Sequence, residues 1–391
     1  MNFTEKHILV RNRKVSYTSI LWVLVALIIT LLQLSRKLQL SNNYLIFKQV
    51  FWHTIHGQNL FLYYPSEYFD HNLYGPLFSF IIAPFAILPD TIGIFFWCMA
   101  NAVFLLYAIR QLPLKDRERN VILLISLVEL TTSLHNTQYN PMVTAYIILS
   151  YVWVIRGKDH WATLFIVIGM LTKIYGVVGL AFFLFSENKL RFALSFILWF
   201  MILFALPMLI SSPAFIFQSY RDWFTTLSQK NVLNDSSDMQ NISVMGLIRK
   251  IGGIYISNLA VLVPAAIFYL LPLLRFSQYR NSLFRLSYLA LLLIGVVIFS
   301  SSAESSTYII AVAGIGIWYV IQPKHIFYIM LMVLMLVITS LSPTDIFPAY
   351  IRRNWIRPFS LKALPCLLVW LVLVYQLMST NFNKLKAAEN G

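Results

Sequence analysis

The chain has 391 residues, 59% of them hydrophobic and only 12% charged, with a mean hydropathy of +0.72. That balance excludes an ordinary soluble domain, and apolar runs of lipid-spanning length recurring from Ile20 to Met378 describe a multi-pass membrane protein. The formal charge of +15 does not imply a nucleic-acid partner, because Lys and Arg fall in short clusters between apolar runs and not on one soluble face.

Without water, each span must pair its backbone groups internally, and long runs lacking strand-like alternation do so as helices. The expected fold is therefore all-α, one integral membrane domain over residues 1–391 with roughly ten to twelve membrane segments. Lys6, Arg11, Arg13 and Lys14 precede the first run, Arg110, Lys115, Arg117 and Arg119 form a second cluster, and Arg275, Arg280 and Arg285 a third. Read by the positive-inside rule, they give a cytoplasmic N-terminus, and the expected location is the plasma membrane. Ser16 to Leu34 continues into SRKLQLSNN with no small-x-small cleavage signature and reads as a retained signal anchor. Cys98 and Cys366 sit in apolar segments, so neither a disulfide framework nor a metal set is indicated.

The first external loop, about residues 36–76, holds the densest polar and aromatic stretch, NNYLIFKQVFWHTIHGQNLFLYYPSEYFDHNLYGPL from Asn42 to Leu77. Tyr44 to Ile55 fits an amphipathic helix on the membrane surface, with Phe51 and Trp52 as interface anchors. Leu77 to Leu88 rises only about 18 Å as a helix, too short to cross, and with Pro84 and Pro89 it reads as a re-entrant half-helix before a full span ending at Ile109. Val121 to Leu134 runs outward to the polar turn HNTQYNP (His135 to Pro141), on the same side as the first loop, and Met142 to Ile155 returns. Trp161 to Phe185 has basic residues at both ends, which two half-spans bent around Lys173 satisfy better than one crossing. Phe192 to Ile210 leads to a second external loop, about residues 211–243, with Arg221, Asp222, Trp223, Lys230, Asp235 and Asp238. Four further runs follow, to a last external loop at about residues 342–362 carrying Arg352, Arg353 and Arg357. Leu364 to Met378 then returns, leaving Lys384 and Lys386 inside.

Ionisable groups in apolar helices are costly and are functional hypotheses by default. Lys173, in GMLTKIYGVVG, suits a phosphate or another anion, or else snorkels to the interface. Glu129, in SLVELTTS, is a proton-handling acid or a partner for Lys173. Glu67 and Asp70 are the carboxylates of the opening stretch, either the type of base that takes a proton from a sugar hydroxyl or simply solvated loop residues. His53, His56 and His71 lack a convincing metal-ligand spacing. Arg221, Arg249, Arg352, Arg353 and Arg357 lie in or beside external loops against the charge rule, as lipid head-group contacts or as a basic rim for a lipid-linked phosphate. Glu304, in ESSTY, completes the same pocket or caps the following helix.

A series of short features then follows in order: Asn43-Tyr44, Gly57 to Phe61, Tyr74-Gly75-Pro76-Leu77, Pro84, Thr137-Gln138-Tyr139-Asn140, the lysine helix GMLTKIYG at Lys173, and Asn241-Ile242-Ser243 with Gly246 and Arg249. In this order the chain resembles the membrane glycosyltransferases of family 87, polyprenyl-phosphate-sugar-dependent, mannosyltransferase-like proteins of the GT-C class. The resemblance implies an inverting transfer of mannose or another hexose from a polyprenyl-phosphate carrier to a glycan or lipid acceptor on the outer face, with no cofactor or obligatory metal. Lys173, Arg221 and Arg249 would hold the donor phosphate, and Asn43, Tyr44, Tyr74, Gln138 and Asn140 would line the pocket. The family's first-loop Asp falls on Asn43, and an amide cannot be a base. Glu67, Asp70 or Glu304 would then take over, or activity is lost. The rival readings are a lipid-linked saccharide flippase and an inactive envelope-assembly protein.

Overall fold

The computed structural model describes residues 3–10, 13–36, 41–234 and 240–383. Arg11, Asp235, Asp238, Lys384 and Lys386 lie outside the described residues. Helices dominate. The strands among the described residues are an N-terminal antiparallel hairpin, β1 (His7–Val10) and β2 (Arg13–Ser16), with His7 opposite Ser16 and Val10 opposite Arg13. The all-α expectation did not include it; β-branched Ile8 and Val15 favour pairing in the segment just before the first apolar helix.

The chain gathers into two compact units, Met1–Asn120 with Leu130–Lys230, and Val121–Glu129 with Asn231–Gly391. In the first, Ser16 caps α1 (Tyr17–Leu34) by accepting the Ser19 N–H at 3.1 Å. The Trp22 indole donates to the Ala102 carbonyl at 2.9 Å, pinning α1 to α4 (Asp90–Gln111), while Leu24, Ile28, Leu31 and Leu32 remain exposed as an apolar face. α2 (Asn42–His56) ends at Gly57, whose φ of 63° suits a residue without Cβ. There Gln58 N–H donates to the His53 carbonyl at 2.9 Å. α2 packs one face into the protein: Tyr44, Phe47, Val50 and Phe51 are buried, and its last turn presents Ile55 and His56 outward. The short α3 (Phe78–Ala86) contains Pro84 and is followed by Pro89, so the break before α4 falls at the prolines.

α6 (Asn140–Ile155) is buried along nearly its whole length. Against it packs a helical hairpin. α7 (Asp159–Thr172) stops at Lys173, whose backbone is extended, and a 3₁₀-helix runs back over Ile174–Phe185. A Cβ on Gly176 would lie 2.3 Å from the Gly169 carbonyl carbon, and one on Gly179 would lie 2.8 Å from the Ile166 side chain. Residues 169 and 176, and 166 and 179, therefore face each other across the turn, with Lys173 at the tip. The two arms rise about 21 Å and about 24 Å, each short of a bilayer's hydrocarbon thickness. α8 (Lys189–Ala205) extends by a 3₁₀ turn to Leu209, and the stretch read as a second loop is instead largely one helix, α9 (Pro213–Leu233).

Among the described residues, three helical stretches are long and apolar enough to cross a membrane: Tyr17–Leu34, Asp90–Gln111 and Lys189–Leu209. At one end of this unit Arg110 donates to Ser16 and Ser19, Arg117 pairs with Glu5 at 3.5 Å, and Arg156 donates to Gln111 Oε1 at 2.9 Å. The first two basic clusters of the sequence, before α1 and after α4, thus meet at one end of this unit. At the other end Arg36 donates to His135 at 3.0 Å and Asn43 to the Asn136 carbonyl at 2.9 Å, so the polar turn before α6 shares its end with the start of α2.

The second unit takes residues 121–129 from α5 (Asp116–His135) and adds α10 (Val244–Gly252), α11 (Asn258–Leu270), α12 (Ser282–Ile298), α13 (Tyr308–Val320), α14 (Ile326–Leu334), α15 (Ala349–Ile351) and α16 (Ala363–Ser379). α12 and α13 form its core; Gly314 lets them approach, since a Cβ there would sit 2.8 Å from Leu293 Cβ. A wide π-helical turn, Met335–Leu341, continues α14, and Thr339 within it donates to the Lys362 carbonyl at 2.8 Å.

Candidate functional site

The loop joining α2 to α3 is folded by its own short-range signals. Pro65 sits at the second position of a turn in which Glu67 N–H donates to the Tyr64 carbonyl at 2.9 Å, a position that suits proline. Asn72 clamps its neighbour, accepting from Tyr74 N–H at 2.9 Å and donating to the Tyr74 carbonyl at 3.0 Å. α9 covers the loop: Trp223 donates to the Leu73 carbonyl at 2.9 Å, Asn59 donates to Asp222 at 3.0 Å, and Lys230 pairs with Asp70 at 3.0 Å.

Gly75 then fits this loop onto the tip of the α7 hairpin. Its N–H donates to the Thr172 carbonyl at 3.1 Å, and a Cβ in its place would lie 2.2 Å from the Leu171 carbonyl oxygen and 2.9 Å from the Trp223 ring. One residue beyond Thr172, the Lys173 ammonium donates to Asn140 Oδ1 at 2.6 Å and lies 5.4 Å and 5.3 Å from the ring centres of Tyr74 and Tyr175. Both rings present negative faces to the cation. Asn140 is in turn close to Gln138, its amide donating to Gln138 Oε1 at 3.4 Å. Tyr74, Gln138, Asn140 and Lys173, picked out from separate parts of the sequence, thus form one cationic cluster, buried except for the half-buried lysine, to which Tyr175 is added. Tyr175 was legible only as a neighbour of Lys173; that its ring turns onto the ammonium depends on the reversal of the chain at the tip.

The other expected residues are distributed differently. Tyr44 is fully buried and donates to the Phe85 carbonyl at 2.9 Å, tight against Gly93, so it packs α2 onto the α3–α4 break. Asn43 is half-buried on the first turn of α2. Arg221 is exposed on α9. In the second unit, Arg249 donates to the Ile256 carbonyl and to Asn258 Oδ1, both at 2.8 Å, and lies 5.2 Å from the Tyr255 ring centre, closing the loop after α10. Glu304 takes the capping role foreseen as one of its two alternatives. Its carboxylate accepts the Thr307 N–H, and its own N–H donates to Thr307 Oγ1 at 3.3 Å, at the turn that starts α13.

Among the acids, Asp70 has a left-handed backbone (φ 79°) and an exposed carboxylate paired with Lys230. Glu67 Oε2 lies 2.9 Å from His53 Nε2, and its side chain is 32% exposed while that of His53 is 3% exposed. Tyr64 packs against the His53 ring at 4.3 Å and Tyr68 at 6.4 Å. Burial pushes the imidazole below its ordinary value more strongly than the adjacent Glu67 raises it, and the same burial raises the Tyr64 and Tyr68 phenols. Glu129 does not pair with Lys173. It lies in the second unit, where both carboxylate oxygens accept from Lys362 Nζ at 2.9 and 3.0 Å with both side chains buried. Lys362 also donates to the Ser305 carbonyl at 3.0 Å and to Ser305 Oγ at 2.9 Å, and faces the Tyr308 ring at 4.8 Å. The sequence signal for Lys362 was weak, since it ends a polar connection and reads as a solvated loop residue.

The family model for Glycosyltransferase family 87 matches residues 72–301. The matched stretch begins after Asn43, Glu67 and Asp70, ends before Glu304, and contains Tyr74, Gln138, Asn140, Lys173, Arg221 and Arg249. No curated protein matches the chain. With more than half of its length covered by that match, including the hairpin and the cluster at its tip, this membrane protein belongs to glycosyltransferase family 87.

Proposed function

We propose that this glycosyltransferase takes a hexose, mannose foremost, from a polyprenyl-phosphate carrier and adds it with inversion to a hydroxyl of a glycan or lipid acceptor at the outer face of the plasma membrane. The observation that carries the reading is Lys173 at the tip of a helical hairpin, bonded to Asn140 and flanked by Tyr74 and Tyr175. A lysine held there suits the one place where negative charge grows. As the acceptor oxygen bonds to the anomeric carbon, the bond from that carbon to the phosphate oxygen breaks, its electron pair goes to the phosphate, and the ammonium stabilises the departing dianion. Electrostatic stabilisation of this kind is worth about 3–4 kcal/mol per group in well-studied sites. Arg221 offers a second cation on the same unit, and the exposed aromatics of the first loop offer faces for sugar rings. The acceptor proton goes to a carboxylate. Glu67 is the first candidate because its half-exposed carboxylate is held by a buried histidine; Asp70 and Glu304 are its rivals.

The test uses the purified protein in lipid with radiolabelled polyprenyl-phosphate mannose and a panel of glycan and lipid acceptors. Wild type should form a glycosidic product, and Lys173→Ala should lower kcat/KM about a hundredfold. Among Glu67→Gln, Asp70→Asn and Glu304→Gln, the variant of the base should lose about a hundredfold or more. Movement of the lipid across the bilayer with no glycosidic product would overturn the reading in favour of a flippase.

A further inference from the structure

We propose that His53 is the positioning residue for the base of this transferase, holding Glu67 by a hydrogen bond from its Nε2–H to Oε2 so that Oε1 takes the acceptor proton. This inference rests on the transferase reading above. His53 is 2% exposed, deep on the inner face of α2, and its Nε2 stands 2.9 Å from Glu67 Oε2. The geometry is built from both sides. On the helix side, the Gly57 cap ties Gln58 N–H to the His53 carbonyl and fixes the last turn of α2. On the loop side, the Tyr64-Pro65-Ser66-Glu67 turn brings Glu67 back over that turn, and the rings of Tyr64 and Tyr68 enclose the imidazole. Tyr64 is anchored by its hydroxyl, which donates to the Asn59 carbonyl at 2.8 Å.

A carboxylate on a surface loop is ordinarily a poor base because its rotamers are many and water competes for both oxygens. Tying one oxygen to a buried N–H removes that freedom and leaves the other as a defined acceptor. The groups facing His53 are Glu67, Tyr64 and Tyr68 from the loop and His56 from its own helix. Burial keeps the imidazole neutral at neutral pH, so its Nε2–H donates to an ionised carboxylate and the pair carries a single negative charge. The balance is then complete: the acceptor O–H bond breaks, its oxygen bonds to the anomeric carbon, the proton passes to Glu67 Oε1, and the phosphate leaves with the electron pair of the broken bond. Asn43, standing where the family places an acid, is not required for this step.

The experiment measures transfer from radiolabelled polyprenyl-phosphate mannose to an alkyl mannoside by the full chain in lipid, as pH profiles of kcat and KM. Glu67→Gln should lower kcat by about a hundredfold or more. His53→Phe should lower kcat about tenfold to a hundredfold with the donor KM within about twofold of wild type. His53→Gln, whose amide N–H can still reach the carboxylate, should recover most of that loss, which a purely space-filling role would not predict. Melting temperatures of the variants report folding, and if His53→Phe does not fold, His53→Gln against His53→Leu carries the comparison. Wild-type turnover with unchanged kcat in Glu67→Gln, or in every folded His53 variant, overturns this inference while leaving the transferase reading in place. Loss of kcat in Asp70→Asn or Glu304→Gln in its stead reassigns the base and overturns it too. No transfer by wild type overturns the transferase reading itself, and this role with it.

Discussion

Lys173 and Lys362 meet the same difficulty, a cation drawn away from water, in different ways. Lys362 is buried against Glu129, Ser305 and Tyr308, and its pairing with a buried carboxylate makes the two charges interdependent. Lys362→Met should therefore destabilise the protein by about 3–5 kcal/mol, because Glu129 is left as an uncompensated charge. The double variant Lys362→Met with Glu129→Met should recover most of that loss, and thermal unfolding in detergent reads both outcomes. Lys173 stays half-buried at the hairpin tip, where an amide oxygen and two ring faces hold it in place. His53 belongs to the same scale. Its folded pKa lies below the ordinary 6.5 because burial opposes its charge, so below that pH the unfolded chain binds a proton that the folded chain does not. Its contribution to stability is complete above pH 6.5 and is lost as pH falls through the folded value. Melting temperatures between about pH 7.5 and pH 5 should drop more steeply for wild type than for His53→Gln.

At the scale of elements, the α7 hairpin depends on glycines that allow two helical arms to touch. A side chain on Gly176 meets the Gly169 backbone at 2.3 Å, with no flexible group able to give way. Gly176→Val should part the arms at a cost of about 1–3 kcal/mol and move Lys173 from Asn140, so transfer should fall further than the melting temperature alone would suggest. Gly57→Ala is the contrasting change: nothing lies within 4 Å of the added Cβ, and only the positive φ resists it. Its effect should be about 1 kcal/mol on stability, read as a lowered melting temperature. The boundaries of these elements were largely legible. Pro84 and Pro89 mark the break between α3 and α4, and the polar turn before Asn140 marks the start of α6, because proline and polar clusters act on the backbone locally. α9 was missed as a helix because its mixed face, with Arg221, Asp222 and Lys230 among aromatics, reads as a polar connection until the loop it covers is in view.

For the whole molecule, the first unit has a basic end and a polar, aromatic end, each assembled from segments far apart in the chain. In a membrane these ends should face opposite sides. Single cysteines introduced by Phe69→Cys and Arg117→Cys in sealed cells should report it: an impermeant maleimide should label the first from outside and the second only after permeabilisation. The native thiols, Cys98 and Cys366, are buried and should not contribute. Labelling of both positions from the same side would contradict this arrangement.

The membrane class, the predominance of helix, the break at the prolines and the reversal at Lys173 were settled by the sequence itself. A segment in hydrocarbon must satisfy its backbone internally, so composition and punctuation over a few turns suffice to specify it. Partners for polar side chains are a different matter. Glu129 finds Lys362 at a separation of 233 residues, not Lys173; Glu67 finds His53; and Tyr44, which the resemblance set in the pocket, packs α2 beneath the α3–α4 break. Those pairings were decided only by the tertiary structure, because the stability of a buried charge or hydroxyl depends on which helices come to lie beside it, and no local pattern encodes that neighbour.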